Sequence, residues 1–195
     1  MPVATTIRKA GRKVAKAEAR IAQAAAPRAG SAPEKVAATV GKLGDQPELR
    51  TLAAVVMAGG LFGANRPLLR TGIRMLLAHE LATLAKNLIK GRIDRTRPHS
   101  AKSRADRTVK PGRQTAKAET SFPSGHSAGS MAVARAVGRE YPQFQAPALA
   151  AAAVVGGLQV PRLAHYPTDV VAGMIVGAVA EAAAGVVLPS GGDDN

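Results

Sequence analysis

From Leu49 to Leu188 the chain alternates apolar stretches with prolines. Five segments, 49–64, 68–90, 125–139, 147–160 and 169–188, are rich in Ala, Leu, Val and Gly. Pro67, Pro142, Pro147, Pro161 and Pro167 punctuate their boundaries. Proline lacks an N–H and holds φ near its helical value, so it suits a helix start and interrupts a helix running through it. No stretch alternates apolar and polar residues at period two. The pattern therefore predicts an all-α fold, a helical bundle of about five core helices. A chain of 195 residues fits one domain and can bury a sizeable core.

The last segment, VVAGMIVGAVAEAAAGVVLP, has close to membrane-spanning length, and its Gly and Ala suit close helix contact. The others are shorter or carry charges such as Arg74, Glu80, Lys86 and Arg135, and the mean hydropathy is +0.00. A membrane-embedded bundle is the expectation, with a soluble bundle as its alternative. Charges at membrane depth must face the bundle interior and find partners, and Glu181 with Arg135 or Arg74 is the predicted pairing.

The start of the chain reads differently. Residues 1–26 form a basic helix in which Ile7, Val14 and Ile21 recur every seven residues among cations. Two readings stand: a helix lying on an anionic membrane surface, or a solvated, partly disordered arm. No apolar stretch follows the cations, as a secretory signal requires. Residues 27–33 are a linker by composition, and a short helix is predicted at 34–43, ending at Gly44. The expected organisation is a basic arm and linker over 1–44, a catalytic domain over 45–190 and a disordered tail over 191–195.

The formal net charge of +14 calls for anionic partners. Aromatic residues are only 3% of the chain and no zinc-finger or RNP-like signature appears, so nucleic acid is not expected. The absence of cysteine excludes disulfides and thiolate zinc sites.

Three short stretches carry chemistry: KGRIDRTRP (Lys90 to Pro98), SFPSGHS (Ser121 to Ser127) and PRLAHYPTD (Pro161 to Asp169). In the second, Ser124 and Gly125 open an Ala-rich helix, where free N–H groups and the helix dipole favour an anion. Ser124 can add a hydroxyl donor and His126 can deliver a proton, or Ser124 is simply an N-cap. In the third, Pro167 fits the first turn of a helix, with His165 just before it and Asp169 about one turn inside. A carboxylate there can fix the imidazole tautomer and leave the other nitrogen free to attack. Alternatively, Asp169 is only a helix-start charge. In the first, Lys90 and Arg97 bring cations to a loop, 90–121, with ten Lys or Arg and three acids, a net +7. Arg forks suit phosphate oxygens, although most cations in such a run are solvated.

In this order the three stretches resemble the phosphatidic acid phosphatase type 2 (PAP2) superfamily, which includes lipid phosphatases, bacterial acid phosphatases and vanadium haloperoxidases. Lys90, Arg97 and Pro98 match its K-x6-R-P motif, Pro123 to His126 match P-S-G-H, and His165 and Asp169 match the end of S-R-x5-H-x3-D. The resemblance covers roughly residues 45–190. It implies a metal-free, cofactor-free phosphatase, multi-pass in a bacterial inner membrane, acting on a phosphate monoester or diphosphate of a lipid such as a phosphatidate or polyprenyl phosphate. In that scheme His165 attacks phosphorus to give a phosphohistidine, Asp169 orients it, and His126 protonates the leaving oxygen. Lys90, Arg97, Ser124, Gly125 and a third-motif arginine hold the phosphate oxygens. The motif positions for serine and arginine are here Leu158 and Gln159, and the nearest arginine is Arg162. If the preceding helix runs on, a three-residue shift keeps Arg162 on nearly the same face. The altered motif also admits a catalytically silent protein that binds membranes or anionic surfaces. A soluble-substrate phosphatase is a further alternative, and the chain is too short for the peroxidases. Residues 1–48 stand where the family's usual first membrane helix is found. Together with the 90–121 loop they are basic, which by the positive-inside rule favours a cytoplasmic site. Membrane members of the family place the site on the opposite side.

Overall fold

Local capping groups start several of the helices. In the computed structural model, which describes residues 2–103 and 107–189, seven α-helices are present. They are α1 (Pro2–Ala25), α2 (Ala32–Lys42), α3 (Gln46–Phe62), α4 (Arg66–Lys90), α5 (Gly125–Glu140), α6 (Gln145–Gly157) and α7 (Pro167–Val187). Ser31 caps α2 by accepting from the Glu34 N–H, and Asn65 caps α4 by accepting from the Leu68 N–H. Pro67 and Pro167 fall in first turns, as the proline spacing predicts, and so do Pro33, from the expected linker, and Pro47. Each predicted helix forms within a few residues of its expected bounds. The tail at 191–195 and the Ile7 side chain lie outside the described residues.

Helices α3 to α7 are the five core helices, and α5 is central, packing against the other four. The contact between α4, α5 and α7 is built from Ala78, Ala82, Ala128, Ala132, Ala180 and Ala184. Small side chains let the backbones approach closely, and Gly177 shows how closely: a Cβ there would collide with the Ala128 carbonyl of α5. A second cluster, Leu49, Ala53, Met75, Val133 and Ala136, joins α3 to α4 and α5. Among the described residues the β content is one antiparallel ladder of two-residue strands, β1 (Ile93–Asp94) and β2 (Lys110–Pro111), inside the 91–120 loop, and an isolated parallel bridge between Arg95 and Thr120.

Glu181 is fully buried at the end of the bundle remote from the loop, with Arg74 at 2.9 Å, Arg135 at 3.2 Å and Arg139 at 3.5 Å. Both predicted partners are present, and Arg139 joins them. A buried carboxylate of this kind must be paired, because its desolvation cost otherwise exceeds any gain.

The outer surface is apolar along whole helix faces. Val171, Ile175, Val179 and Val186 are exposed on α7, Leu84 and Leu88 on α4, and Leu52, Val55, Leu61 and Phe62 on α3. Among the described residues one helix, Pro167–Val187, is long and apolar enough to cross a membrane.

From Ala15 onward the N-terminal helix docks on the bundle. Ala15, Glu18, Ala19 and Ala22 form its buried face, while Val14 and Ile21 of the predicted apolar stripe are exposed. The described members of the seven-residue stripe, Val14 and Ile21, face away from the protein.

Candidate active site

Three chain reversals bring the quoted stretches together. The 91–120 loop folds back so that the Arg95 N–H donates to the Glu119 carbonyl and the Ser121 N–H to the Arg95 carbonyl. The Ser124 N–H donates to the Asp169 carbonyl, which joins the start of α5 to the start of α7. After α6 the chain turns over 158–166 and delivers His165 to the first turn of α7.

These elements enclose a cavity of about 380 Å³. His165, His126, Lys90, Arg97 and Gly125 line it together with Lys86, Lys117, Asp45 and Glu48. The rings of His165 and His126 are 6.3 Å apart between centroids. Four basic side chains against two acidic ones suit the cavity to an anion, and the N-terminus of α5 adds its free N–H groups through Gly125. Lys90 also donates through Nζ to the Thr120 carbonyl, and Arg97 through Nε to the Lys117 carbonyl at 2.8 Å.

His165 is buried, and its Nδ1 has no hydrogen-bond partner among the described residues. Its carboxylate neighbour is Asp169, with Oδ2 at 3.7 Å from Nδ1, beyond hydrogen-bond reach but close enough to orient the ring electrostatically. Catalytic hydrogen bonds are often long in sites without substrate. Burial pushes the His165 imidazole down to about 4; Arg97 and Lys90 add to that, while Asp169 opposes it. The ring is therefore neutral at pH 7, the form a nucleophile requires.

Asp169 is held by three donors: Arg95 through Nη1 at 2.5 Å, Ser121 through Oγ at 2.5 Å and the Tyr166 N–H at 2.9 Å. The last is a helix-start contact set by the His-Tyr-Pro-Thr-Asp spacing, so this part was visible in the sequence. Arg95 is itself enclosed. It donates to Thr168 Oγ1, the Arg107 carbonyl and Glu18 Oε2, and its guanidinium carbon lies 4.0 Å over the Tyr166 ring. The other Glu18 oxygen accepts from the Thr168 N–H at 2.8 Å, so α1 supplies a cap to α7.

Three sequence candidates are not on the cavity wall: Asp169, fully buried beside His165, and also Ser124 and Arg162. Ser124 is buried, and its hydroxyl accepts from the Ser127 N–H and Ser127 Oγ, which makes it the N-cap of α5. Arg162 donates to Gln159 Oε1 at 3.2 Å and lies against Gly41 of α2. Helix α6 stops at Gly157, so the helical continuation that would carry Arg162 to the phosphate face does not exist.

Sequence reasoning missed Lys86, Arg95, Ser121, Glu18 and Asp45. Lys86 had a signal, since it precedes Lys90 by one turn on the same helix face. Arg95 and Ser121 lie inside the quoted stretches, where nothing local separates a buried arginine from a solvated one. Glu18 and Asp45 come from distant segments and had none.

Residues 71–188 match the family model for the PAP2 superfamily, well over half of the chain. The chain belongs to that superfamily. It is a PAP2-type phosphatase, a hydrolase of phosphoric esters. Two solved structures share the fold. The first is the transmembrane PAP2 type phosphatidylglycerolphosphate phosphatase from Bacillus subtilis, at 23% identity, with 88% of this chain and 84% of that chain covered and a TM-score of 0.66. The second is LpxE of Aquifex aeolicus, at 17% identity, with 85% and 92% covered and a TM-score of 0.62. Among curated proteins no significant match is found.

Proposed function

We propose that this chain removes phosphate from a membrane lipid, of phosphatidate or polyprenyl phosphate type, through a phosphohistidine on His165. The observation that carries this reading is the pair of histidine rings facing each other across 6.3 Å in a cavity walled by Lys86, Lys90 and Arg97. Neutral His165 attacks phosphorus, with Asp169 beside its other nitrogen. The P–O ester bond breaks, and the leaving oxygen takes a proton from His126. Water then attacks phosphorus, giving a proton to His126, and the P–N bond breaks to release phosphate and restore His165. Lys86, Lys90, Arg97 and the Gly125 N–H hold the equatorial oxygens, and such positioning and charge neutralisation supply most of the catalysis in phosphoryl transfer. Removing one of these donors costs about 3 kcal/mol of transition-state stabilisation, by analogy with oxyanion-hole deletions. Ser124 supports this wall as the cap of α5, and Arg162 contributes charge at a distance. No metal or cofactor enters this scheme.

The lipid substrate and a multi-pass location in a bacterial inner membrane are supported by the exposed apolar faces of α3, α4 and α7. A groove of about 430 Å³ between α4 and α7, lined by Leu81, Leu84, Leu88, Ile175 and Val179, is wholly apolar. The fold is shared with a phosphatase described as transmembrane. The exposed Val14 and Ile21, flanked by exposed Arg12, Lys13, Lys16 and Arg20, suit residues 1–26 to an anionic membrane surface.

The test is phosphate release from a panel of lipid phosphates and small phosphate esters by the detergent-purified protein with EDTA present. His165→Ala is expected to lose about six orders of magnitude in kcat, the scale seen when a covalent nucleophile is removed. Turnover that survives this substitution rules out the nucleophile. Turnover confined to soluble esters replaces the lipid with a soluble substrate, and none on any ester leaves a silent binding protein.

A further inference from the structure

Asp45 holds the N-cap position of α3 by its backbone, with φ −69° and ψ 153°, yet its side chain makes no capping hydrogen bond. An aspartate there ordinarily accepts from an N–H two or three residues on. Instead, Oδ1 lies 2.7 Å from Nε2 of His126. Gly44 makes room for this contact. A Cβ at Gly44 would stand 3.2 Å from His126 Cβ and 3.4 Å from its Cδ2, and would press on Val155 at 2.5 Å. The Cδ2–Nε2 edge of the ring therefore faces the α2–α3 turn. Nδ1 lies on the opposite edge, with no hydrogen bond among the described residues.

The remaining charges around this ring are mostly cationic. Arg162, from the turn after α6, and Arg97, from the 91–120 loop, act on it electrostatically. Lys86 and Lys90 of α4, Lys117 and Glu48 line the same cavity, and His165 faces it from the start of α7. Cations disfavour an imidazolium, but a general acid needs its proton when substrate arrives. A carboxylate in contact with one ring nitrogen offsets that repulsion and selects the tautomer.

We infer that Asp45 is a positioning residue for His126, holding its Nε2–H so that Nδ1 carries the proton given to the leaving oxygen. The inference rests on the phosphatase reading in which His126 is the general acid. As the P–O bond breaks, the Nδ1 proton moves to the leaving oxygen, and His126 becomes neutral with Nε2–H still on Asp45. Attack by water then returns a proton to Nδ1. Asp45 lies outside residues 71–188, so this half of the acid comes from beyond the family-matched segment.

Two measurements test it. The chain has four histidines, so ring ¹⁵N spectra can be assigned in detergent. Neutral His126 is expected in the Nε2–H form, and Asp45→Asn is expected to lower its titration midpoint by about one pH unit, the low end for loss of a contacting opposite charge. An unchanged tautomer and midpoint overturns the inference whether or not the protein is a phosphatase. Kinetically, Asp45→Asn is expected to lose about tenfold in kcat on dioctanoyl phosphatidate but less than about threefold on p-nitrophenyl phosphate, whose leaving group needs little protonation. Asp45→Glu is expected to restore part of the loss. Equal loss on both substrates, or a gain from unblocking the cavity, overturns the inference. A wild type that releases no phosphate removes the phosphatase reading and the acid role with it, while the spectra still report whether Asp45 holds the ring. Asp45 is partly exposed, so its exchange leaves no buried unpaired group.

Discussion

His165 and His126 face each other in one cavity, and each has a carboxylate, but the two pairs are built differently. Asp169 is four residues from His165, fully buried, and gripped by Arg95, Ser121 and the Tyr166 N–H. Asp45 comes from another part of the chain, is 41% exposed in its side chain, and has His126 as its ion-pair partner. The first pair is insulated: its ring is neutral and its carboxylate cannot wander. The second is open to water at the cavity mouth. Such a division suits the proposed chemistry, because a nucleophile must be fixed and unprotonated, whereas an acid must exchange its proton every cycle.

The comparison can be broken at several points. Asp169→Asn removes the acceptor on which three donors converge and is expected to lower kcat about 10⁴-fold, on the scale of orienting carboxylates in other His–Asp pairs. Because Asp169 raises the His165 pKa, this variant is also expected to move the His165 titration below about 4. The sign follows from the base: a lowered pKa keeps the imidazole neutral to lower pH, so the acid limb of wild-type kcat/KM due to His165 lies near 4. A limb near 6.5 that persists in Asp169→Asn would show that His165 is not insulated. His126→Ala is expected to cost about 10²-fold on an alkyl phosphate, the lower range for a general acid, and much less on an aryl phosphate. Equal losses on the two substrates would merge the two roles.

A smaller effect tests how the N-terminal helix supports the insulated pair. Glu18→Gln keeps the shape but removes the charge between Arg95 and the start of α7, and about a tenfold fall in kcat with little change in KM is expected, as for a misaligned catalytic group. A variant unchanged in kcat would make α1 a bystander. Arg162→Ala should be smallest, about threefold in kcat/KM, since screened charge acting at a distance is weak. A loss of a hundredfold or more would place Arg162 on the phosphate when substrate is bound.

Much of this was legible in the chain. The five core helices followed from proline spacing and the lack of period-two alternation, and Glu181 found the arginines that membrane depth would demand. Lys90, Arg97, Gly125, His126 and His165 do meet in one cavity. The Arg162 expectation assumed a helix that Gly157 ends, and the Ser124 hydroxyl proved to be engaged in its own cap. The stripe of Val14 and Ile21 was real, but the alanine and Glu18 face is the one that docks.

The sequence by itself determined what depends on neighbours three or four residues apart: helix starts, the Tyr166–Asp169 contact, and the identity of the two histidines. Those interactions are set by helix geometry once a helix forms. Only the tertiary structure decided which charges became buried partners. Arg95 and Arg97 are alike on paper, yet one is sealed against Asp169, Glu18 and Tyr166 while the other lines the cavity. Asp45 holds a helix N-cap position by its backbone, yet its side chain meets His126. The physical reason is common to both cases. A charge takes its partner from whatever packing brings within about 4 Å, and long-range packing is not written in local spacing.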